Sequence, residues 1–188
     1  CLNFAEFKNN GTNAAITALH EKGRYNVTVK GSSLDATDIW KKYTETLSEK
    51  EESEAKKNNY PSVSVAANVG QLLLSEKESI KNVKAAIELY PDRVHRMEMD
   101  GTAGQGSIYL RYTPFESKTG YQLRFETPDA GSALKAFGLT DKISGGTMIV
   151  DASTAVNEPD LTVGGLTIKD YKIVKAPTTA TIIWAIQP

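Results

Sequence analysis

The side chains most able to do chemistry are two histidines, several carboxylates and one glycine-rich stretch. His20 and His95 stand far apart in the chain, and neither has a partner at metal-ligand spacing. A zinc or iron site needs three or four converging ligands, so we interpret both as structural or surface histidines and predict no metal site.

Residues 100–106 are glycine-rich, as phosphate-binding loops are. They lack the Gly-Lys-Ser/Thr ending, and a strand pattern follows where such a loop needs a helix, so we predict a hairpin loop. Ser107 has no nucleophile-elbow context. Spacing alone does not bring carboxylates such as Glu98, Asp100 and Glu126 together. The sequence therefore predicts no catalytic residue, no cofactor and a protein that is not an enzyme.

Length and charge argue against further classes of protein. The chain has 188 residues, with 22 Lys and Arg against 23 Asp and Glu, so the net charge of −1 argues against general electrostatic binding of nucleic acid. The longest apolar run, residues 182–186, is shorter than the ~20 residues of a membrane span. Cys1 is either the lipidated first residue of a bacterial lipoprotein or the place where a fragment begins, and we favour the fragment.

Apolar and polar residues alternate over most of the chain, which is typical of strands with one buried face. Clear examples begin at Tyr25, Val63, Val83, Ile108 and Tyr121. Turn-forming residues separate such segments at 22–23, 100–106, 117–120 and 164–165. We predict a mainly β (β-rich α+β) fold: a curved antiparallel sheet of roughly nine or ten strands, with one long and one short helix.

The long helix is predicted to begin after Asp35, whose carboxylate can cap its first turn. Ile39, Tyr43 and Leu47 are spaced by four and form a narrow apolar stripe, with Trp40 beside it. Beyond Leu47 the chain is charged on all sides. We therefore predict that residues 48–59 are a flexible charged insertion in a single domain spanning 1–188.

Residues 129–150 read as a short helix, a turn and a strand. Asp129 is a plausible N-cap. Gly138 stands where a helix ends on a residue with positive φ, and Leu139 follows as the hydrophobic residue that packs back on the last turn. Gly145 and Gly146 predict a turn or bulge before the strand. A purely structural role explains all of these residues.

The spacing in residues 129–148 also resembles a family signature, Asp-Ala-Gly-x-x-Leu-x-x-Phe-Gly-Leu-x-Asp-x-Ile-x-Gly-Gly-x-Met. It is similar to the C-terminal part of AsmA-like envelope proteins, including the YhdP type. Residues 165–177 resemble a second family segment, and residues 31–36 resemble, more weakly, the segment that opens the region. The motif residues, all given structural roles, are Asp129, Gly131, Leu134, Gly138, Leu139, Gly145, Gly146, Gly165 and Pro177.

The resemblance implies a Gram-negative envelope protein, tethered to the inner membrane and projecting into the periplasm. Members resemble bridge-like lipid transfer proteins, in which a long taco-shaped sheet with an apolar interior carries phospholipid toward the outer membrane. It implies phospholipid acyl chains as ligands and envelope proteins as possible partners. The missing membrane anchor and the end at Pro188 suggest that the chain is a piece of a longer protein.

Alternation alone favours a closed core, and the resemblance shifts the prediction to an open apolar groove. The candidate groove residues are Val27, Val63, Ile108, Leu110, Leu123, Phe125, Met148 and Ile168. One alternative is a structural or assembly module with a closed core, which contacts partners through the helix of Ile39, Tyr43 and Leu47. A second, weaker alternative is a hydrolase of envelope polymers.

Overall fold

A computed structural model describes residues 2–8, 11–48, 61–76, 78–91, 93–117, 119–155 and 158–174. Within them lie ten strands and two helices. In chain order these are β1 (Leu2–Lys8), β2 (Asn13–Glu21), β3 (Arg24–Asp35), α1 (Thr37–Ser48), β4 (Ser62–Leu73), β5 (Ser79–Tyr90), β6 (Arg93–Ala103), β7 (Gly106–Pro114), β8 (Gly120–Thr127), α2 (Ala130–Ala136), β9 (Ile143–Ala155) and β10 (Glu158–Ile173).

The strands form one open, curved sheet in which each strand neighbours the next in sequence, from β1 to β10. The predicted mainly β class, with a long and a short helix, is confirmed. One pairing differs from the antiparallel expectation, because β3 and β4 run parallel. Parallel neighbours need a long crossover, and α1 with the residues after it supplies one.

The hairpin connections follow the turn signals in two places. Lys22 and Gly23 both have positive φ, 48° and 76°, which suits a two-residue hairpin turn between β2 and β3. Residues 104–105 join β6 to β7, so the predicted hairpin is confirmed, but its loop is shorter than 100–106, because residues 100–103 belong to β6 and Gly106 to β7. The turn predicted at 164–165 is wrong, because both glycines lie inside β10, paired with β9.

Helix α2 has the ends that its sequence predicts. The Asp129 carboxylate accepts a hydrogen bond from the Ser132 backbone N–H, at 3.1 Å. At the other end Gly138 has φ 71°, and the N–H groups of Gly138 and Leu139 donate to the carbonyls of Lys135 and Leu134. This pair of bonds is a Schellman motif, and it closes the last turn.

The turn or bulge predicted at Gly145 and Gly146 is wrong. Both glycines have positive φ, but they lie inside β9, and the register with β10 is the same on either side of them, with Thr147 paired to Lys169 and Gly145 to Tyr171. The strand therefore begins at Ile143, earlier than the glycines suggest. Positive φ is a conformation that glycine adopts without steric cost, so these glycines allow an irregular backbone within a paired strand.

Helix α1 begins at the predicted residue, but its inward contact is made by Trp40 and not by the predicted Ile39. The Asp35 carboxylate accepts from the Thr37 backbone N–H at 3.0 Å. Ile39, expected on the apolar stripe, is 74% exposed, and Trp40 instead contacts the Phe137 ring at 5.8 Å. The backbone of residues 43 and 47 is helical, but the side chains of Tyr43 and Leu47 lie outside the described part. Cys1, Pro177 and, from residue 49 on, the predicted insertion at 48–59 also lie outside it.

Candidate functional site: the apolar face of the sheet

The pairing register brings apolar side chains into rows that cross the sheet. Because directly paired residues point to the same face, one continuous row can be followed from strand to strand. We call it the middle row: Ala5, Ile16, Val29, Ala67, Ala85, Met99, Leu110, Phe125, Val150 and Leu166. Every strand contributes an apolar residue to it.

A second row lies beside the middle row, two residues along each strand. We call it the open row: Ala18, Val27, Val65, Ile87, Met97, Tyr112, Leu123, Ala152 and Gly164. From Val27 to Ala152 its side chains are all half-buried. Gly164 has no room for a side chain, because a Cβ there would stand 2.3 Å from the Asp151 carbonyl oxygen.

On the other side of the middle row the sheet is covered by α2, and we call this part the closed end. Ile80, Val83 and Ile108 are at most 2% exposed, and Met148 is 5% exposed. Ala130, Ala133 and Ala136 of α2 have no exposed surface. The helix approaches β9 closely at Gly131, where a Cβ would stand 2.8 Å from the Gly145 nitrogen and the Ile143 oxygen. The small residues on one side of α2 therefore allow it to lie directly on the sheet.

Helix α1 forms a wall over the middle row. The Trp40 indole Nε1–H donates to the Phe137 carbonyl at 2.7 Å, which links α1 to the end of α2. Between the two helices and strands β7 to β10 is a cavity of about 420 Å³. It lies within the ~300–1,000 Å³ range of small-molecule sites. Its lining includes Trp40, Leu110, Leu123, Phe125, Leu134, Phe137, Leu139, Met148, Val150 and Leu166.

The opposite face of the sheet is polar. The Arg111 guanidinium donates to both oxygens of Asp100, at 2.8 and 2.9 Å. Arg124 lies between Glu126 and Asp151, whose hydrogen bonds, Glu126 first, raise the pKa of its guanidinium. Such exposed ion pairs add little stability but keep this face hydrated. The two faces therefore differ in chemistry along most of the sheet.

All eight predicted groove residues lie on the apolar face. Leu110 and Phe125 belong to the middle row, and Val27 and Leu123 to the open row. Val63 lies two residues beyond Val65 on β4, half-buried. The other three, Ile108, Met148 and Ile168, lie at the closed end. Ile108, at 2% exposed, is a core residue there and leaves no surface for a ligand, whereas Met148, at 5% exposed, lines the cavity.

The motif residues are structural in the ways described for Asp129, Gly131, Gly138, Gly145 and Gly146. Leu134 and Leu139 also line the cavity, and Leu139 is 62% exposed. At Gly165 a Cβ would meet nothing within 4 Å, so the close approach to β9 belongs to its neighbour Gly164.

Sequence reasoning missed the α1 side of the site. The sequence marks Trp40 only as a neighbour of the apolar stripe, and Phe137 only as the Phe of the family signature. Their contact joins residues 97 positions apart, and nothing in the local pattern indicates it. Leu166 carries a usable signal, since Leu166 and Ile168 alternate with Thr167 and Lys169, whereas Val150 follows the apolar Ile149.

Among the described residues, no group of three or more His, Cys, Asp or Glu side chains is placed to hold a metal ion. None of the helices there combines the length and apolar character needed to cross a membrane.

Comparison of the chain with protein-family models, curated protein sequences and solved structures gives no match.

Proposed function

We propose that this chain is the periplasmic segment of an AsmA-like envelope protein that binds phospholipid through its acyl chains and conducts it passively along the apolar face. The envelope location and the inner-membrane tether rest on the resemblance in residues 129–148. The lipid binding rests on the physical character of the face.

The observation that carries the proposal is the pair of apolar rows: the middle row crosses all ten described strands, with Val29, Met99 and Phe125 buried, and the open row beside it is half-buried from Val27 to Ala152. At ~4.8 Å between strands, ten strands span about 43 Å. One leaflet of acyl chains occupies about 15 Å, half of the ~30 Å bilayer core. The middle row is therefore long enough to hold an acyl chain at several successive positions. Neighbouring positions present similar aliphatic side chains, so movement between them needs no reacting group.

Half-burial is sufficient for useful binding. Burying one CH₂ group contributes about 0.8 kcal/mol, so ten half-covered methylenes contribute about 4 kcal/mol. The half-buried state of Val27, Val65, Leu110 and Leu123 leaves apolar surface that such a chain would cover. Contiguous apolar surface of this kind is typical of ligand or partner sites.

Native mass spectrometry of the protein purified from cells tests the proposal with a matched pair of variants. Leu123→Glu places a charge on the open row, whereas Gln122→Glu places the same charge one residue earlier, on the polar face. We expect co-purified phospholipid on the wild type and on Gln122→Glu, and loss of most of it on Leu123→Glu. Absence of phospholipid from the wild type, under conditions that retain bound lipid, would refute lipid binding.

An assembly role is the alternative that one observation favours. Ile39 is 74% exposed on α1, next to Trp40, which contacts Phe137. If α1 binds an envelope protein, Ile39→Asp should abolish that interaction in cells and leave the lipid content unchanged. If the chain only binds lipid, Ile39→Asp should change neither its protein interactions in cells nor its lipid content.

A further inference from the structure

A second cavity, of about 560 Å³, lies at the ends of the strands where β5 meets β6 and β7 meets β8. Its lining is unlike that of the apolar face, since aromatic and charged side chains predominate. They are Tyr90, Arg93, His95, Pro114, Phe115, Glu116, Gly120 and Tyr121. The cavity adjoins the open row, because Tyr121 stacks on Tyr112 of that row with ring centroids 5.1 Å apart.

The rings form two walls at right angles. Tyr90 and His95 are stacked, with centroids 4.5 Å apart and planes 7° apart. Tyr121 stands perpendicular to His95, at 6.2 Å and 90°. The face of a tyrosine ring attracts an organic cation. One cation already lies near the rings, since the Arg24 guanidinium is 5.7 Å from the Tyr90 centroid.

A break in the strand pairing places His95 there. Glu88 pairs with Arg96, but the next residue, Leu89, pairs with Val94, so His95 is the extra residue of a bulge in β6. A bulge re-aims a side chain out of the regular alternation of faces. In this position the His95 ring contacts both Tyr90 and Tyr121 and completes the aromatic walls.

The two charged groups have opposite signs. Arg93 and Glu116 are exposed side chains that line the same cavity, one from β6 and one from the β7–β8 loop. A guanidinium is well suited to a phosphate, and a carboxylate beside aromatic rings is suited to an ammonium group. Together they offer one group for a phosphate and one for an ammonium group in the same cavity.

We propose that this cavity binds the zwitterionic head group of a phospholipid whose acyl chain lies on the apolar face. Arg93 contacts the phosphate, while Glu116 and the rings of Tyr90, His95 and Tyr121 contact the ammonium group. This proposal rests on the proposed function, and it adds a preference among lipids that acyl-chain binding alone does not give.

The test measures binding of three ligands that share one fluorescent acyl chain: phosphatidylethanolamine, phosphatidylglycerol and a free fatty acid. The wild type should bind phosphatidylethanolamine more tightly than phosphatidylglycerol, by roughly five- to tenfold. Glu116→Gln should remove that preference. Arg93→Gln should weaken both phospholipids and leave the fatty acid unchanged.

Arg96→Gln and Glu98→Gln are the matched controls, because these residues pair with each other on the polar face. They should leave all three affinities unchanged, and circular dichroism checks the fold of each variant. Equal binding of both phospholipids, unaffected by Arg93→Gln and Glu116→Gln, would overturn the head-group site alone. Failure to bind even the fatty acid would overturn the proposed function as well.

Competition distinguishes a lipid head group from a soluble ester of the same chemistry. Glycerophosphoethanolamine has the charged groups but no acyl chain, so we expect millimolar concentrations to displace little of the labelled phosphatidylethanolamine. Displacement at the same concentration as the lipid itself would identify the soluble ester as the ligand and overturn the lipid assignment.

Discussion

The closed end and the open row are built from the same kinds of residue on the same face of the sheet, yet they differ in cover. Val83 and Ile108 lie beneath α2 and are at most 2% exposed, whereas Val65 and Leu123 are half-buried. Apolar character alone therefore does not separate a core from a binding surface. The difference arises from α2, whose small residues let it seal one end of the strands and leave the other end open.

The largest expected effect comes from Ile108→Ala compared with Leu110→Ala, two residues apart on β7 and on the same face. Removing the buried Ile108 side chain leaves a cavity and should cost about 2–5 kcal/mol in the free energy of unfolding. Leu110 is already partly exposed, so its loss should cost about half as much. Chemical denaturation measures the free energy of unfolding of both variants. Equal losses would contradict the distinction between the closed end and the partly exposed apolar rows.

The two motif glycines Gly131 and Gly165 give the next contrast. A methyl group at Gly131 meets β9 backbone at 2.8 Å, so Gly131→Ala should destabilise the protein by about 1–3 kcal/mol. At Gly165 nothing lies within 4 Å, so Gly165→Ala should stay within about 0.5 kcal/mol of the wild type. A stable Gly131→Ala protein would mean that α2 does not lie directly on the sheet.

Removal of the α2 cap tests how firmly the closed end is held. Asp129→Ala leaves the Ser132 N–H without its acceptor and should cost about 1 kcal/mol in thermal or denaturant unfolding. Asp129→Asn keeps an acceptor oxygen and should restore most of that stability. If Asn behaves like Ala, the hydrogen bond is not the source of the effect.

The smallest effect concerns Asp35 at the start of α1, which pairs with Leu73 near the closed end. The Thr37 backbone N–H, and then its side chain, lower the pKa of this carboxyl below its ordinary value of 3.8. A lowered pKa means that the contribution to stability is present above pH 4 and is lost as the pH falls through the lowered value. The difference in unfolding free energy between wild type and Asp35→Asn should therefore shrink on acidification, and a difference that grows would contradict this.

The sequence predicted the strands and the face because alternation is a local property. It could not predict the parallel pairing of β3 with β4, since that depends on the path of α1. The sequence could not predict the α1 wall of the cavity for the same reason. The Trp40–Phe137 contact joins elements that are distant in the chain, whereas the local spacing indicated Ile39. Whether Ile108 is a core residue and Leu123 a surface residue depends on where α2 packs. The alternation pattern of a strand does not contain that information.

The most direct test of lipid binding uses a phospholipid with a photoreactive group on its acyl chain, incubated with the purified protein, irradiated and mapped by peptide mass spectrometry. We predict labels on the middle and open rows, at residues such as Val27, Leu110, Leu123 and Val150. The neighbouring polar-face residues Thr28, Arg111 and Gln122 should remain unlabelled. Labels spread evenly over both faces, or confined to the exposed side of α1 around Ile39, would contradict the proposal that the apolar face carries the lipid.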